Sequence, residues 1–277
     1  MLIDAHQHFW IYDSREYSWI DESMALLRRD FLPIDLEPQL KRADVHGTIA
    51  VQARQSLEET RWLLELAEQS ESILGVVGWV DLRATDVRAQ LKKLAGNSKF
   101  VGVRHVVQSE PDDRFLMQPD FIRGITALEE FDLAYDILIY ARHLPVAAEF
   151  VERFPRQRFV LDHMAKPPIK SGSIEEWSRG IRDLAAFPNV LCKVSGLVTE
   201  ADWANWKVEE IIPYLNVVFD AFGCKRLMIG SDWPVCLVAA PYESAMNVAR
   251  KYLERYSAES QAAILGGNAQ RFWRLKV

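Results

Sequence analysis

Val190-Leu-Cys-Lys-Val194, then Ile211-Ile-Pro-Tyr-Leu-Asn-Val-Val-Phe-Asp-Ala-Phe222, then Arg226-Leu-Met-Ile229 carry three signals in turn. The first run is short, apolar and β-rich. In the second, Ile211, Ile212, Leu215, Val218, Phe219 and Phe222 recur at the spacing of one helical face, and the third is again strand-like. Strand, helix, strand implies two parallel strands joined by a right-handed crossover. The same unit repeats outward in both directions. Strand-like runs occur at Leu2–Ala5, Thr48–Val51, Leu74–Val80, Phe100–Val103, Ala134–Ile139, Arg158–Leu161, Val190–Val194 and Arg226–Ile229, with helical spacing between them and again at Tyr242, Ala245, Met246, Ala249, Tyr252 and Leu253. Eight such units predict a single α/β domain over residues 1–277, a closed (β/α)₈ TIM barrel. An open doubly wound sheet fits less well, because no Gly-x-Gly-x-x-Gly follows any run.

The composition suits that architecture. With 49% hydrophobic and 26% charged residues and only 13 Gly and 12 Pro among 277, the chain has ample core and no disordered or fibrous character. Its net charge of −6, spread without a basic block, points away from nucleic acid and anionic membrane and toward a small-molecule partner. Cys192, Cys224 and Cys236 form no Cys-x-x-Cys and cannot all pair, so reduced thiols are expected. The start Met-Leu-Ile-Asp-Ala-His-Gln-His has no signal-peptide pattern and Ile73–Val80 is too short to span a bilayer, so a cytoplasmic protein is expected.

In a barrel, reactive groups lie at the C-terminal ends of strands. Five of six histidines, His6, His8, His105, His143 and His163, fall at or just past such an end; only His46 precedes one. His6 and His8, two apart, project from one face, and two convergent imidazoles with a carboxylate suit zinc with an open position for water. Asp232, in Leu227-Met-Ile-Gly-Ser-Asp-Trp-Pro234, is delivered to the mouth, where it can ligate a metal with His6 and His8 or take a proton from water. The plainer alternatives are a hydrogen-bonding His pair and a turn or helix-cap aspartate. Asp4 reads as structural.

Phe159-Val-Leu-Asp-His-Met-Ala-Lys-Pro-Pro168 places His163 at another strand end with Lys166 nearby. Gly102-Val-Arg-His105 and Tyr140-Ala-Arg-His143 set Arg104 beside His105 and Arg142 beside His143, guanidiniums suited to a carboxylate or a developing oxyanion. Lys193 and Ser195 share a strand face with the same two possibilities. Ser195 lacks the Gly-x-Ser-x-Gly elbow, so a serine hydrolase is a weak reading. Among the aromatics near these positions, Phe9, Trp10, Trp203, Trp206 and Trp233, at least half are expected to pack loops rather than contact a ligand.

Together, Ile3-Asp-Ala-His-Gln-His-Phe-Trp10, Val76-Val-Gly-Trp-Val-Asp-Leu82, Gly102–His105, Leu161–Pro167, Cys192–Gly196 and Gly230–Pro234 resemble the amidohydrolase superfamily. More narrowly, they resemble its sugar-acid lactonases, hydrolases of L-fuconolactone and L-rhamnonolactone. The likeness runs from His6 to Gly266-Gly-Asn-Ala269. It implies a barrel with His6 and His8 on the first strand, His163 on the sixth and Asp232 on the eighth, while His143 corresponds less securely to the fifth-strand histidine. Binuclear members carry a carboxylated lysine on the fourth strand; Arg104 and His105 stand there instead, so the resemblance implies at most one divalent ion, zinc by preference, and an activity that some relatives manage with none. The implied reaction is lactone hydrolysis, with Asp232 as general base, His163 and Arg104 assisting at the oxyanion, and His105, Arg142, His143, Lys166, Lys193 and Trp233 binding substrate. The alternatives are a mononuclear metal-dependent amidohydrolase or decarboxylase for an aromatic or muconate-type acid, and a catalytically retired barrel that binds a sugar acid. The oligomeric state is not legible.

Overall fold

The computed structural model describes residues 1–276. Eight parallel strands pair strictly in chain order: β1 (Ile3–Gln7), β2 (Gly47–Val51), β3 (Ile73–Gly78), β4 (Phe100–His105), β5 (Ala134–Ile137), β6 (Phe159–Leu161), β7 (Val190–Val194) and β8 (Leu227–Ile229). Every predicted run is a strand, with ends that coincide or shift by at most two residues. The shifts matter at β1 and β4, which run on far enough to hold His6, Arg104 and His105 within the sheet. Between strands lie the crossover helices α1 (Pro33–Arg42), α2 (Leu57–Gln69), α3 (Val87–Leu94), α4 (Pro119–Glu130), α5 (Leu144–Glu152), α6 (Glu175–Ala185) and α7 (Val208–Phe222), followed by α8 (Tyr242–Leu253), α9 (Ala258–Ala262) and α10 (Asn268–Trp273). In α7 the buried residues are Ile211, Tyr214, Leu215, Val218, Phe219 and Phe222, a stripe of three- and four-residue steps that seats the helix on the sheet.

The barrel interior is filled from below. Ile3, Ala5, Ile49, Val51, Val77, Ala134, Val160 and Met228 form an inner cluster with Ala269, Phe272, Trp273 and Leu275, so the C-terminal segment plugs the N-terminal end of the barrel. A larger cluster joins the outer strand faces to the helices. Closure between β8 and β1 occurs at the other end, where Gln7 bridges Trp233, Asp232 N donates to His6 O at 2.9 Å and His8 N to Trp233 O at 2.7 Å. No helix among the described residues is long and apolar enough to cross a membrane.

Candidate active site

That closure creates the site, because the backbone bonds joining first and last strands are made by the residues that bear the functional side chains. A bulge in β1 between Asp4 and Gln7 shifts the alternation of side chains. Asp4 turns outward, accepting from Ser231 N (2.8 Å), Ser231 Oγ (2.6 Å) and Tyr242 Oη (3.1 Å), whereas Ala5 and His6 both project inward. Gly230 lets the strands approach: a Cβ there would meet His6 Cβ at 2.8 Å. Asp232 sits at φ +59°, a left-handed conformation that aspartate tolerates better than most residues.

At the mouth, His6 Nε2 and His8 Nε2 are 3.2 Å apart. Asp232 Oδ1 lies 3.4 Å from His8 Nε2, 3.9 Å from His6 Nε2 and 3.9 Å from His163 Nε2. His8 Nδ1 donates to Val51 O at 2.7 Å, which leaves its Nε2 a lone pair aimed at the cluster. His163 begins a run of four consecutive left-handed residues, His163, Met164, Ala165 and Lys166, with φ between 50 and 57°. Strain of this kind persists only where surrounding contacts impose it, and it concentrates at functional sites. Here Trp177 Nε1 holds Met164 O at 2.8 Å, Ser195 Oγ lies 2.9 Å from His163 Nδ1, and Gly196, at φ +65°, leaves room that a Cβ would take within 2.9 Å of the imidazole.

Beneath the imidazoles is a fully buried ionic layer. Lys193 Nζ lies 2.5 Å from Asp136 Oδ2, 2.9 Å from Asp162 Oδ1 and 3.1 Å from His6 Nδ1. Arg104 Nη1 lies 3.1 Å from Asp162 Oδ2 and 3.2 Å from His6 Nε2, and its Nη2 donates to Gln52 O. The parallel register pairs Arg104 with Asp136 at one level of the barrel. Burial pushes Asp136 up to about 7, although Lys193 pulls the other way. For Asp162, burial is opposed by Lys193, His6 and Arg104, which together hold it well below the carboxylate range. Burial also dominates at His163, lowering it to about 4 against the attraction of Asp232. Asp232 itself falls below its ordinary range, because His163, His8 and His6 outweigh the cost of burial. At neutral pH a carboxylate therefore faces neutral imidazoles, the state required both for metal ligation and for accepting a proton.

Of the residues singled out in the sequence, His6, His8, His163, Asp232, Arg104 and Lys193 converge. Lys193 and Arg104 are both buried and engaged by the protein: the Lys193 ammonium lies among Asp136, Asp162 and His6 Nδ1, and Arg104 Nη1 reaches Asp162 Oδ2 and His6 Nε2 while its Nη2 donates to Gln52 O. Trp233 is likewise engaged by the protein. It is buried against Phe9 and Phe31, with ring centroids 6.0 and 5.3 Å away, and packs the β1 loop rather than lining an open wall. His105 has both nitrogens engaged, Nε2 with Glu110 Oε1 at 2.7 Å and Nδ1 with Trp79 Nε1 at 3.4 Å, over the Phe115 ring. Arg142 and His143 share Asp113 at 2.9 Å each, on a short turn beyond β5, and do not join the central imidazoles. Lys166 pairs with Glu200 at 2.9 Å on the rim. The sequence reading passed over Asp136 and Asp162; a carboxylate inside the apolar run Ala134–Ile139 was the available signal for the first, since an interior strand buries charge only with a partner.

The donor set fits one divalent ion. Nitrogens bound to tetrahedral zinc at roughly 2.0–2.1 Å lie about 3.3 Å apart, close to the 3.2–3.9 Å separations among His6, His8 and Asp232. A second grouping, His6 with Asp162 and His163, meets the distance requirement, but Lys193 and Arg104 already occupy the Asp162 carboxylate.

A (β/α)₈ barrel with a His-x-His pair ending its first strand, a histidine after its sixth and an aspartate after its eighth defines an amidohydrolase-type site. The chain belongs to the amidohydrolase family, whose sequence profile it matches over residues 3–275. It is 42% identical over 277 residues to an L-fucono-1,5-lactonase of Burkholderia ambifaria, covering 99% of this chain and 95% of that one. A crystal structure of an amidohydrolase from Burkholderia multivorans with bound zinc superposes over the full length of both chains, with TM-score 0.97 and 42% identity. A probable 2-pyrone-4,6-dicarboxylic acid hydrolase from Acinetobacter baumannii, 18% identical over 99% of each chain with TM-score 0.80, shares the fold.

Proposed function

We propose that this protein hydrolyses a sugar-acid lactone of the L-fucono-1,5-lactone type to the open aldonic acid, working as a single domain with a small-molecule substrate in the cytoplasm. Supporting this reading above all is the 42% identity to an L-fucono-1,5-lactonase along virtually the whole chain, in a barrel where His6, His8, His163 and Asp232 meet.

Substrate reaches the cluster from the side on which Asp232, His8 and His163 keep a sliver of exposure, whereas His6 is fully covered behind them. Water placed between Asp232 and the lactone carbonyl attacks the carbonyl carbon as Asp232 takes its proton; collapse of the tetrahedral intermediate breaks the acyl–ring oxygen bond, and Asp232 returns the proton to the departing alkoxide. Ser195 Oγ, donating to His163 Nδ1, leaves Nε2–H free to bond the developing oxyanion. His6, His8 and Asp232 would hold the metal, zinc by the chemistry of the donors, which supplies Lewis-acid polarisation when bound. Beside Glu200, the partner of Lys166, an open groove of about 810 Å³ is lined by Pro168, Lys170, Thr199, Asp202 and Trp203 among others, and none of the four cluster residues lines it.

The test is acid release from a panel of aldonolactones, followed with a pH indicator with and without chelator. Release from 1,5-lactones of six-carbon sugar acids is expected, and a rate unchanged by chelator would make the ion dispensable. A protein that opens none of the lactones but binds them would be a retired barrel, and the reading would fail.

A further inference from the structure

We propose that Lys166 and Glu200 are positioning residues: their ion pair clasps the turn after β6 to the segment after β7 and so holds the His163 imidazole in its working place. The inference rests on the lactonase reading above for the role of His163 at the developing oxyanion.

The turn after β6 has a backbone that cannot hold itself. His163, Met164, Ala165 and Lys166 all carry φ between 50 and 57°. L-residues visit this region singly, because each Cβ crowds the following carbonyl oxygen, and none of the four is a glycine that escapes the clash. Lys166 is opposed a second time, since Pro167 favours extended backbone in the residue before it. Such a run persists only where contacts impose it. Its start is held by Ser195 and Gly196 against the imidazole, and its middle by Trp177 Nε1 on Met164 O. Its end is Lys166, whose N–H donates to His163 O at 2.8 Å and closes the turn.

The Lys166 side chain then crosses to the neighbouring segment, where Nζ donates to Glu200 Oε1 at 2.9 Å. Burial alone would pull the ammonium toward neutrality; the attraction of Glu200 more than offsets it, so Lys166 stays charged. Glu200 O accepts from Lys170 N at 3.1 Å, a second tie between the same two segments. The segment that carries Glu200 starts at Ser195 and Gly196, the residues that lie against the imidazole, and Thr199 Oγ1 stiffens it by donating to Gly196 O at 2.8 Å. The contacts thus close a ring: His163 to Lys166, Lys166 to Glu200, Glu200 back along the chain to Gly196 and Ser195, and these to His163. Opening the ring at the ion pair frees the end of the strained run, which relaxes and carries the imidazole with it.

The test is a cycle of Lys166→Met, Glu200→Leu and the charge-balanced double variant, read by kinetics on the lactone that the wild type opens fastest and by hydrogen exchange at the Lys166 amide. The two side chains are 18% and 20% exposed, and partly exposed pairs add little to global stability, so urea midpoints should barely move. In each single variant kcat should nonetheless fall by about 10- to 100-fold, up to the cost of an ångström of misplacement near the reacting atoms, with KM nearly unchanged. The double variant should be no slower than the slower single one, because a clasp is broken only once. Exchange of the Lys166 amide, protected by His163 O, should quicken in all three. A Lys166→Met effect that falls on KM and persists in the Glu200→Leu background would reveal an ammonium that binds substrate itself, and overturns the proposal. Unchanged kcat with a lowered urea midpoint, the mark of a purely structural pair, overturns it too, as does unchanged exchange. A wild type that opens no lactone removes the lactonase reading, and the exchange rates then decide the clasp without it.

Discussion

At the scale of single residues, the site works through enforced protonation states. Replacing Asp232 by Asn keeps its size and removes the proton acceptor, so kcat/KM should fall by about 10²- to 10⁴-fold with the urea midpoint nearly unchanged; near-normal turnover would show that another group accepts the proton. Gly196 tests the neighbouring constraint. Its positive φ and the 2.9 Å approach to His163 predict that Gly196→Ala displaces the imidazole and lowers kcat more than it raises KM. A third residue concerns stability alone. Glu59 is buried, accepts from Tyr17 Oη, Ala53 N and Arg54 N, and is pushed by burial from 4.5 to about 7. The folded state thus holds a proton that the unfolded state releases earlier: this stabilisation is complete below about pH 4.5 and is lost as pH rises through 7. Glu59→Gln should remove that slope from urea-unfolding free energies measured between pH 5 and 8; an unaltered slope would place its source elsewhere.

At the scale of elements, the decisive features are the β1 bulge and the β8–β1 seam. Strict alternation would put Asp4, His6 and His8 on one face and Ala5 on the other. The bulge instead sends Asp4 outward to Ser231 and Tyr242 and brings Ala5 and His6 inward. Asp4 thereby ties down the segment that presents Asp232, although it never faces the site. Ser231→Ala deletes the hydroxyl donor and leaves a buried carboxylate short of one partner, so a loss of about 1–3 kcal/mol is expected in urea denaturation. Activity should fall with it, because the Ser231 hydroxyl also accepts from Trp233 N at 2.9 Å. A variant as stable and active as the parent would mean that the seam holds without this contact.

On the scale of the whole molecule, the barrel separates a chemical end from a stabilising end. Trp273 lies with Phe272 and Leu275 under the inner cluster, its ring 5.2 Å below the Lys193 ammonium. Trp273→Ala should cost about 3–5 kcal/mol of stability, as large-to-small changes in cores do. Turnover per folded molecule should change far less, a split visible by comparing the urea midpoint with kcat at low temperature. Equal losses in both would show that the plug reaches through the ionic layer into the site.

By itself the sequence determined the succession of eight strands and their helices, because periods of 2 and 3.6 are local properties written residue by residue. It also determined which of the histidines and acids stand at strand ends, and so most of the cluster formed by His6, His8, His163 and Asp232. Only the tertiary structure decided how those groups are used. The bulge that turns His6 inward, the burial of Lys193 between Asp136 and Asp162, the diversion of Arg104 to Asp162 and the packing of Trp233 all depend on neighbours many tens of residues away. Charge in a closed barrel is governed by what surrounds it in space: a lysine in an apolar run can as well reach out to a ligand as lie sealed beneath an imidazole, and the choice is made when the last strand closes on the first.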